Sequence, residues 1–266
     1  MKKSTLLILA FALCTSCLRQ DLKTNDTSGQ YTRPTAQSLD TDSIKENDSL
    51  GQRRLYIALS KSASKAERTS MLEYISESLG GNYTGKLDDT KQMLQFYHDQ
   101  KQKEFHETYI ELDSIADVQT KYESDVEFMP LYESKHYTTL YHKGYEFWGG
   151  AHGSSVFFGQ TFRKKDGRRI GWEVFHKDMN NLIRAGLKQY FEVSTDEDLK
   201  DCLIDIEYLE LLPLPICPPL FTKEGIMFVY QQYEIAPYSA GMPSFTMGYD
   251  VMKKYMMQTA LQLIEE

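Results

Sequence analysis

Residues 122 to 172 leave this chain little freedom in how it folds. "YESDVEFMPLYE", "HYTTLYHKGYEFW" and "SVFFGQTF" are runs dense in aromatic and β-branched residues, with glycine and polar breaks between them. Side chains of that kind pack best on a pleated sheet. The third run leads into Asp166-Gly167, a pair that supplies the positive φ angles of a tight turn. "VFFGQTFRKKDGRRIGW" therefore reads as two antiparallel strands.

Helices are expected on either side of these strands. Ser64 with Glu67 makes a capping box, Met71, Leu72, Ile75 and Leu79 recur on one face, and Gly80-Gly81 ends the segment. Asp89 with Gln92 opens a second helix carrying Met93, Phe96, Tyr97 and Phe105, with Tyr109 and Ile110 beyond. A third follows Asp178, with Leu182, Ile183, Leu187 and Phe191 at helical spacing. "IMFVYQQYEI" is the strongest later strand, Pro237, Gly241 and Pro243 make a loop, "SFTMGY" gives a last strand, and Asp250 caps a final helix. Helices cluster around runs of strands and do not alternate with them. The expected class is α+β, an antiparallel sheet packed against a few helices behind an N-terminal helical segment.

The first residues specify an address. Lys2 and Lys3 precede the apolar run Leu6 to Leu13, and small residues lead to Cys17. This is the layout of a bacterial export signal, and the run is too short to span a bilayer as a mature helix. The "CTSC" end resembles a lipoprotein processing box in which Cys17 is acylated, although Cys14 stands where such boxes usually carry leucine. The expected organisation is a signal peptide over 1–17, a flexible polar linker over 18–50, a mainly helical part over 51–120 and an α+β domain over 121–266. Residues 18–50 have Tyr31 as their only aromatic and too little apolar surface to offset the entropy of ordering them. A strand added to the domain is the other reading for the end of that stretch.

Charge and metal-ligand patterns narrow the function. The formal charge of −8 falls to about −10 once Lys2 and Lys3 leave with the signal, which excludes the basic footprint of nucleic-acid binding and suits a basic partner. The six histidines show no close metal-ligand spacing and there is no Cys-x-x-Cys, so neither a metal nor a cofactor is expected. Cys202 and Cys217 could close a disulfide in an exported chain or stand as two buried thiols, and both readings stay open.

The "WGGAHG" stretch concentrates the candidate site residues. Gly149 and Gly150 permit backbone angles closed to other residues, and Gly153 repeats that freedom after His152. The preferred reading is a bend between strands, with His152 capping backbone groups and Trp148 covering the core edge. The sharper readings place Glu146, Trp148 and His152 around a ligand groove, or use His152 with a carboxylate such as Glu146 in a cell-envelope hydrolase. No Gly-x-Ser-x-Gly or comparable arrangement supplies a nucleophile. Later, Tyr233, Glu234, Pro237, Tyr238 and Gly241 could form an aromatic lip or a loop packed inward.

Taken together, "GYEFWGGAHG", the hairpin ending "DGRRIGWEVF" and "FVYQQYEIAPYSAGMPSFTMGYDVM" resemble the extracellular domain shared by the RsiV anti-sigma factor and the N-terminal region of a peptidoglycan deacetylase. The resemblance covers roughly residues 120 to 256. It implies an α+β domain outside the cytoplasm and brings in lysozyme, or cell-wall peptidoglycan, as a candidate partner. Signalling and deacetylation are not expected to carry over, because no transmembrane helix, sigma-binding segment or deacetylase domain is recognisable here. The resemblance transfers no contact residue. The expected role is a lipid-anchored envelope protein that binds a ligand without catalysis, Glu146, Trp148, Gly149, Gly150, His152, Tyr233, Tyr238 and Gly241 being the candidate contacts.

Overall fold

The computed structural model describes residues 36–49, 51–113, 121–205 and 211–265. The three aromatic runs form β3 (Tyr122–Glu133), β4 (Tyr137–Phe147) and β5 (Ser154–Arg163), an antiparallel meander closed by the short β6 (Arg169–Ile170) across the Asp166-Gly167 turn. Two further strands extend this sheet on the other side: β1 (Leu39–Asn47) and β2 (Gly51–Ser60), a hairpin whose second strand lies parallel to β3. The order is β1-β2-β3-β4-β5-β6. A smaller antiparallel sheet contains β7 (Leu220–Phe221), β8 (Gly225–Val229) and β9 (Ser244–Gly248). The fold is α+β.

Two helices cross from β2 to β3, as parallel neighbours require. In α1 (Lys65–Ser78) the capping box forms in both directions, with the Glu67 N–H donating to Ser64 Oγ at 3.2 Å and the Ser64 N–H to Glu67 Oε2 at 3.2 Å. Gly81 then adopts φ 71° and its N–H donates to the Ser76 carbonyl at 2.8 Å, which ends the helix. The longer α2 (Thr90–Asp113) starts where the Asp89 carboxylate accepts the Gln92 N–H at 3.1 Å. Met71, Leu72 and Ile75 of α1 and Met93, Leu94 and Tyr97 of α2 pack on Leu55, Ile57, Leu59, Phe128, Leu140 and Phe162 of the sheet.

The other sheet face meets the C-terminal half. There α3 (Asn180–Phe191), α5 (Tyr249–Met252) and α6 (Gln258–Ile264) gather around β8 and β9 through Leu182, Ile183, Leu187, Phe228, Phe245 and Met252, while α4 (Asp196–Cys202) adds Leu199. Buried hydroxyls join the two halves. Thr139 Oγ1 donates to the Phe221 carbonyl at 2.6 Å, and Thr161 Oγ1 accepts the Phe221 N–H at 3.1 Å.

Four expectations change. Residues 39–47, read as linker, form β1; they are polar because an edge strand buries little, and only Leu39 of the strand is fully buried. Polar contacts fix it instead: Asp40 pairs with Arg68 at 3.2 Å, Glu46 with Arg53 at 3.0 Å, and Asp42 accepts the Thr90 hydroxyl. Residues 51–120 do not make a separate, mainly helical part, since β2 lies inside the sheet and pairs with β3 across the proposed boundary at 120. The final helix is two helices, and Asp250 sits within the first turn of α5 while Gly248 precedes it. Between them the chain pairs with residues 174–176, where His176 N–H reaches the Tyr255 carbonyl and Met257 N–H the Val174 carbonyl. The strand expected over "IMFVYQQYEI" ends at Val229, because Tyr230 to Glu234 turn away. The proposed signal peptide and Cys17 lie outside the described residues, and among those residues no helix is long and apolar enough to cross a membrane.

Deleting residues 39–47 from the full chain should lower its unfolding free energy by at least about 2 kcal/mol, because an open edge replaces a ladder and buried Arg53 loses Glu46. Urea unfolding followed by tryptophan fluorescence measures this. An unchanged midpoint would mean that β1 is an ornament of the sheet and not a member.

Candidate functional site

The bend after β4 begins with Gly149 and Gly150 at φ 95° and 92°, left-handed angles that turn the chain back toward β5. His152 follows on the surface. Its ring stacks on Tyr238 with centroids 3.9 Å apart and planes at 23°, and His152 Nδ1 lies 3.0 Å from the Gly153 carbonyl oxygen. The Tyr238 hydroxyl donates to that same oxygen at 3.0 Å. Tyr233 continues the group, 5.7 Å from Tyr238, and is 56% exposed. The two signature loops, distant in sequence, therefore meet.

What joins them is a set of side-chain amides on the outer edge of β5. Gln231 accepts the Phe157 N–H at 3.0 Å and donates back to the Phe157 carbonyl at 2.6 Å, as a neighbouring strand would. Gln232 accepts the Ser155 N–H at 3.0 Å. Glu234 shapes the turn from within, accepting the Gln231 N–H at 2.7 Å and the Ile216 N–H at 2.8 Å. Burial pushes its carboxyl up despite those two bonds. Tyr233 takes φ 64°, a left-handed conformation that costs a non-glycine residue about 1 kcal/mol. Gly241, at φ 74°, closes the short helical turn of Tyr238–Ala240. Tyr145 lies beside the group, packed against Gly153; burial first, then Glu123 and Tyr238, push its phenol up.

The remaining candidates do not join this cluster. Glu146 and Trp148 belong to the helix-covered side of the sheet. Trp148 packs on Tyr122 at 4.6 Å and Phe105 at 5.6 Å, with Lys101 Nζ 5.2 Å above its ring, and its indole N–H donates to Glu146 Oε2 at 3.0 Å. Lys101 also pairs with Glu146 at 3.0 Å. The groove expected between Glu146, Trp148 and His152 is therefore divided, because β4 ends at Phe147 and the bend at Gly149 and Gly150 carries His152 to Tyr238, away from Glu146 and Trp148. No carboxylate bonds or pairs with His152 among the described residues, so the acid–base pair of the hydrolase reading is not assembled.

Lys101 and Glu146 also line a feature that sequence reasoning missed. A cavity of about 350 Å³ opens between α2 and the sheet, lined among others by Arg53, His98, Lys101, Ser124, His142 and Glu146. In the sequence Arg53 shows only as a charge beside the apolar run Leu55–Leu59, which has no clear period of its own. His142 stacks on Phe128 at 4.5 Å, and burial holds its imidazole down to about 4. Cys202 and Cys217 are free thiols, one on α4 and half-buried, the other in the core beside Leu220 and Val229, where burial pushes it up to about 12. Among the described residues no three or more His, Cys, Asp or Glu side chains are arranged to hold a metal ion.

A six-stranded sheet with helices on one face and a three-stranded satellite on the other defines the structural class. Residues 174–250 match the family described as a protein of unknown function, DUF3298. That span includes most of the second signature, through Tyr233, Tyr238 and Gly241, whereas the first signature precedes it. The fold is similar to the crystal structure of a DUF3298 family member from Bacteroides fragilis NCTC 9343, at 21% identity and TM-score 0.66, covering 84% of this chain and 96% of that one. A DUF3298 family protein from Pseudomonas aeruginosa PAO1 is similar at 14% identity and TM-score 0.55, covering 83% and 95%. At those identities the likeness is one of fold. No curated protein matches the chain.

Two predictions follow from the division of the site. Trp148→Ala should cost about 3 kcal/mol by thermal melting, since it empties the space against Phe105 and Tyr122, while His152→Ala and Tyr233→Ala should stay within about 0.5 kcal/mol. Equal losses would mean that the exposed rings are scaffold. For His142 the folded imidazole binds its proton only near pH 4, whereas the unfolded one does so near 6.5. Between those values the unfolded state holds more protons, so stability falls as pH falls through this window. From pH 7.5 to 5 this single group should remove about 2 kcal/mol, and His142→Phe should abolish that part of the decline in urea titrations at the two pH values.

Proposed function

We propose that this protein is a lipid-anchored envelope protein that binds an extracytoplasmic partner, without catalysis, through the ring cluster of His152, Tyr233 and Tyr238. The observation that carries the reading is the stacked column itself. An exposed tyrosine is held at a positive φ beside a second tyrosine and a histidine, on loops locked together by Gln231 and Gln232. Rigid aromatic side chains with polar ends supply contact area at low entropic cost, which suits recognition of a protein or a sugar face. Lysozyme and cell-wall glycan are the candidate partners. The RsiV-type resemblance of the two signatures supports the first, and the negative formal charge favours it as a basic protein. The export signal and Cys17 support the anchored location.

The alternative, a hydrolase using His152 with Glu146, has less behind it. Glu146 is engaged by Lys101 and Trp148, and His152 by Tyr238 and the Gly153 carbonyl. Titration of the full chain with lysozyme and, separately, with fragmented cell wall tests the binding reading. Saturable binding to one of them should weaken at least tenfold in His152→Ala and Tyr233→Ala, with melting temperature unchanged. Retention of neither, or binding indifferent to both substitutions, would overturn it.

A further inference from the structure

One end of the large sheet carries surplus lysines in a chain whose formal charge is −8. It is built from the loop after β2, the first turn of α1, the β3–β4 turn and the β5–β6 turn. Four of its cations are matched: Arg163 pairs with Asp166, Lys164 with Glu133, Arg68 with Asp40 and Arg168 with Glu173. Lys61, Lys65, Lys135 and Lys165 are exposed and pair with no carboxylate among the described residues. Against them stand Glu67, buried in the capping box, and Glu73, which lines an open groove with Lys65. Lys223 and Glu224, adjacent in the turn behind Tyr137, cancel each other. The balance at this end stays positive.

Hydrogen bonds make one platform of these loops. The Lys61 N–H donates to the Ser38 carbonyl at 3.0 Å and Ser62 Oγ to Glu133 Oε1 at 2.6 Å. Ser64 Oγ donates to the Lys164 carbonyl at 2.9 Å, and the Lys164 N–H to the His136 carbonyl at 2.9 Å. Gly167 lies so close to α1 that a side chain there would strike the Ala66 carbonyl. The lysines thus project from a common, braced surface. The chain also enters the fold here: Leu39, the first residue of β1, lies opposite Ser60 at the end of β2, so residues 18–35 lead back to Cys17 from this same end. The ring cluster lies at the other end. β4 runs from Tyr137, beside the platform, to Phe147, and its 11 residues span about 35 Å before the bend to His152.

We propose that this platform is a docking surface for anionic lipid headgroups, which stands the domain on the membrane with His152, Tyr233 and Tyr238 facing away from it. The inference rests on the lipid-anchored reading above. The entry of the tether at this end favours lipid over an acidic protein as the occupant. Acylated Cys17 holds the platform within the reach of residues 18–35, at most about 60 Å, so weak contacts act at a high effective concentration. Each lysine close to an anionic surface adds roughly fivefold to binding, and a few of them orient a tethered chain. In the test, the acylated chain is placed on vesicles of phosphatidylcholine alone and of phosphatidylcholine with an equal part of phosphatidylglycerol, and its lysines are acetylated and read by mass spectrometry. Lys61, Lys65, Lys135 and Lys165 should react at least about threefold more slowly on the anionic vesicles, whereas Lys103, 77% exposed on α2, should be unchanged. A chain that stays with neither kind of vesicle would overturn the anchored reading. Recovery on both, with those four lysines equally reactive, would overturn the docking surface alone. A second measurement does not need the acyl group. The full chain with Cys17→Ser should sediment preferentially with the anionic vesicles, and Lys65→Glu, Lys135→Glu and Lys165→Glu together should cut that preference at least about tenfold with melting temperature unchanged. An undiminished preference would arise from other charges, Lys2 and Lys3 among them, and would overturn the proposal whether or not Cys17 is acylated.

Discussion

The outer edge of β5 is the constraint on which the rest of the molecule depends. Its partner β6 covers only Thr161 and Phe162, which leaves the backbone from Gly153 to Phe157 as an open row of donors and acceptors. An unpaired edge of that kind would recruit another strand. Here side chains from the C-terminal half close it: Tyr238 at Gly153, Gln232 at Ser155 and Gln231 at Phe157. Thr161, farther along the same strand, anchors Phe221 of β7. The two sheets are thus joined by hydroxyls and amides and not by a continuous backbone ladder, and the loop carrying Tyr233 is placed by the same contacts that seal the edge.

The large sheet keeps its two faces apart. Toward the helices it presents Leu55, Phe128, His142 and Glu146, ending in a cavity with a buried guanidinium. Toward the smaller sheet it presents Tyr141, Phe157 and the hydroxyls of Thr139 and Thr161. Glu146 and His152 are close in sequence, yet the bend at Gly149 and Gly150 releases the chain after Trp148 has turned under α2. Residues adjacent along the chain thus belong to two places, and the glycine bend divides them.

Much of this was legible where side-chain pattern and local chemistry agree. The meander β3–β4–β5, the turn at Asp166-Gly167 and the caps of α1 and α2 follow from residues acting within a few positions of one another. What was missed depends on distant partners. β1 is polar because its outer side faces solvent, so only its partners, among them Arg53, Arg68 and Thr90, reveal it as a strand. β2 carries the unalternating run Leu55 to Leu59, which periodicity cannot separate from a helix segment. The cavity was invisible because its lining combines β2, β3, β4 and α2 through the one parallel pairing in the sheet.

That parallel pairing also shapes how the chain can reach its native state. Asp125 on β3, which Arg54 on β2 pairs with, lies 71 positions farther along the chain, and both helices lie within that interval. As the polypeptide emerges, Leu55, Ile57 and Leu59 have helices to lean on but no inner neighbour until Phe128, Leu140 and Phe162 arrive. Loop closure on that scale is slow compared with helix formation. The β2–β3 pairing is therefore completed late, and until then the nascent chain carries an apolar, half-built sheet.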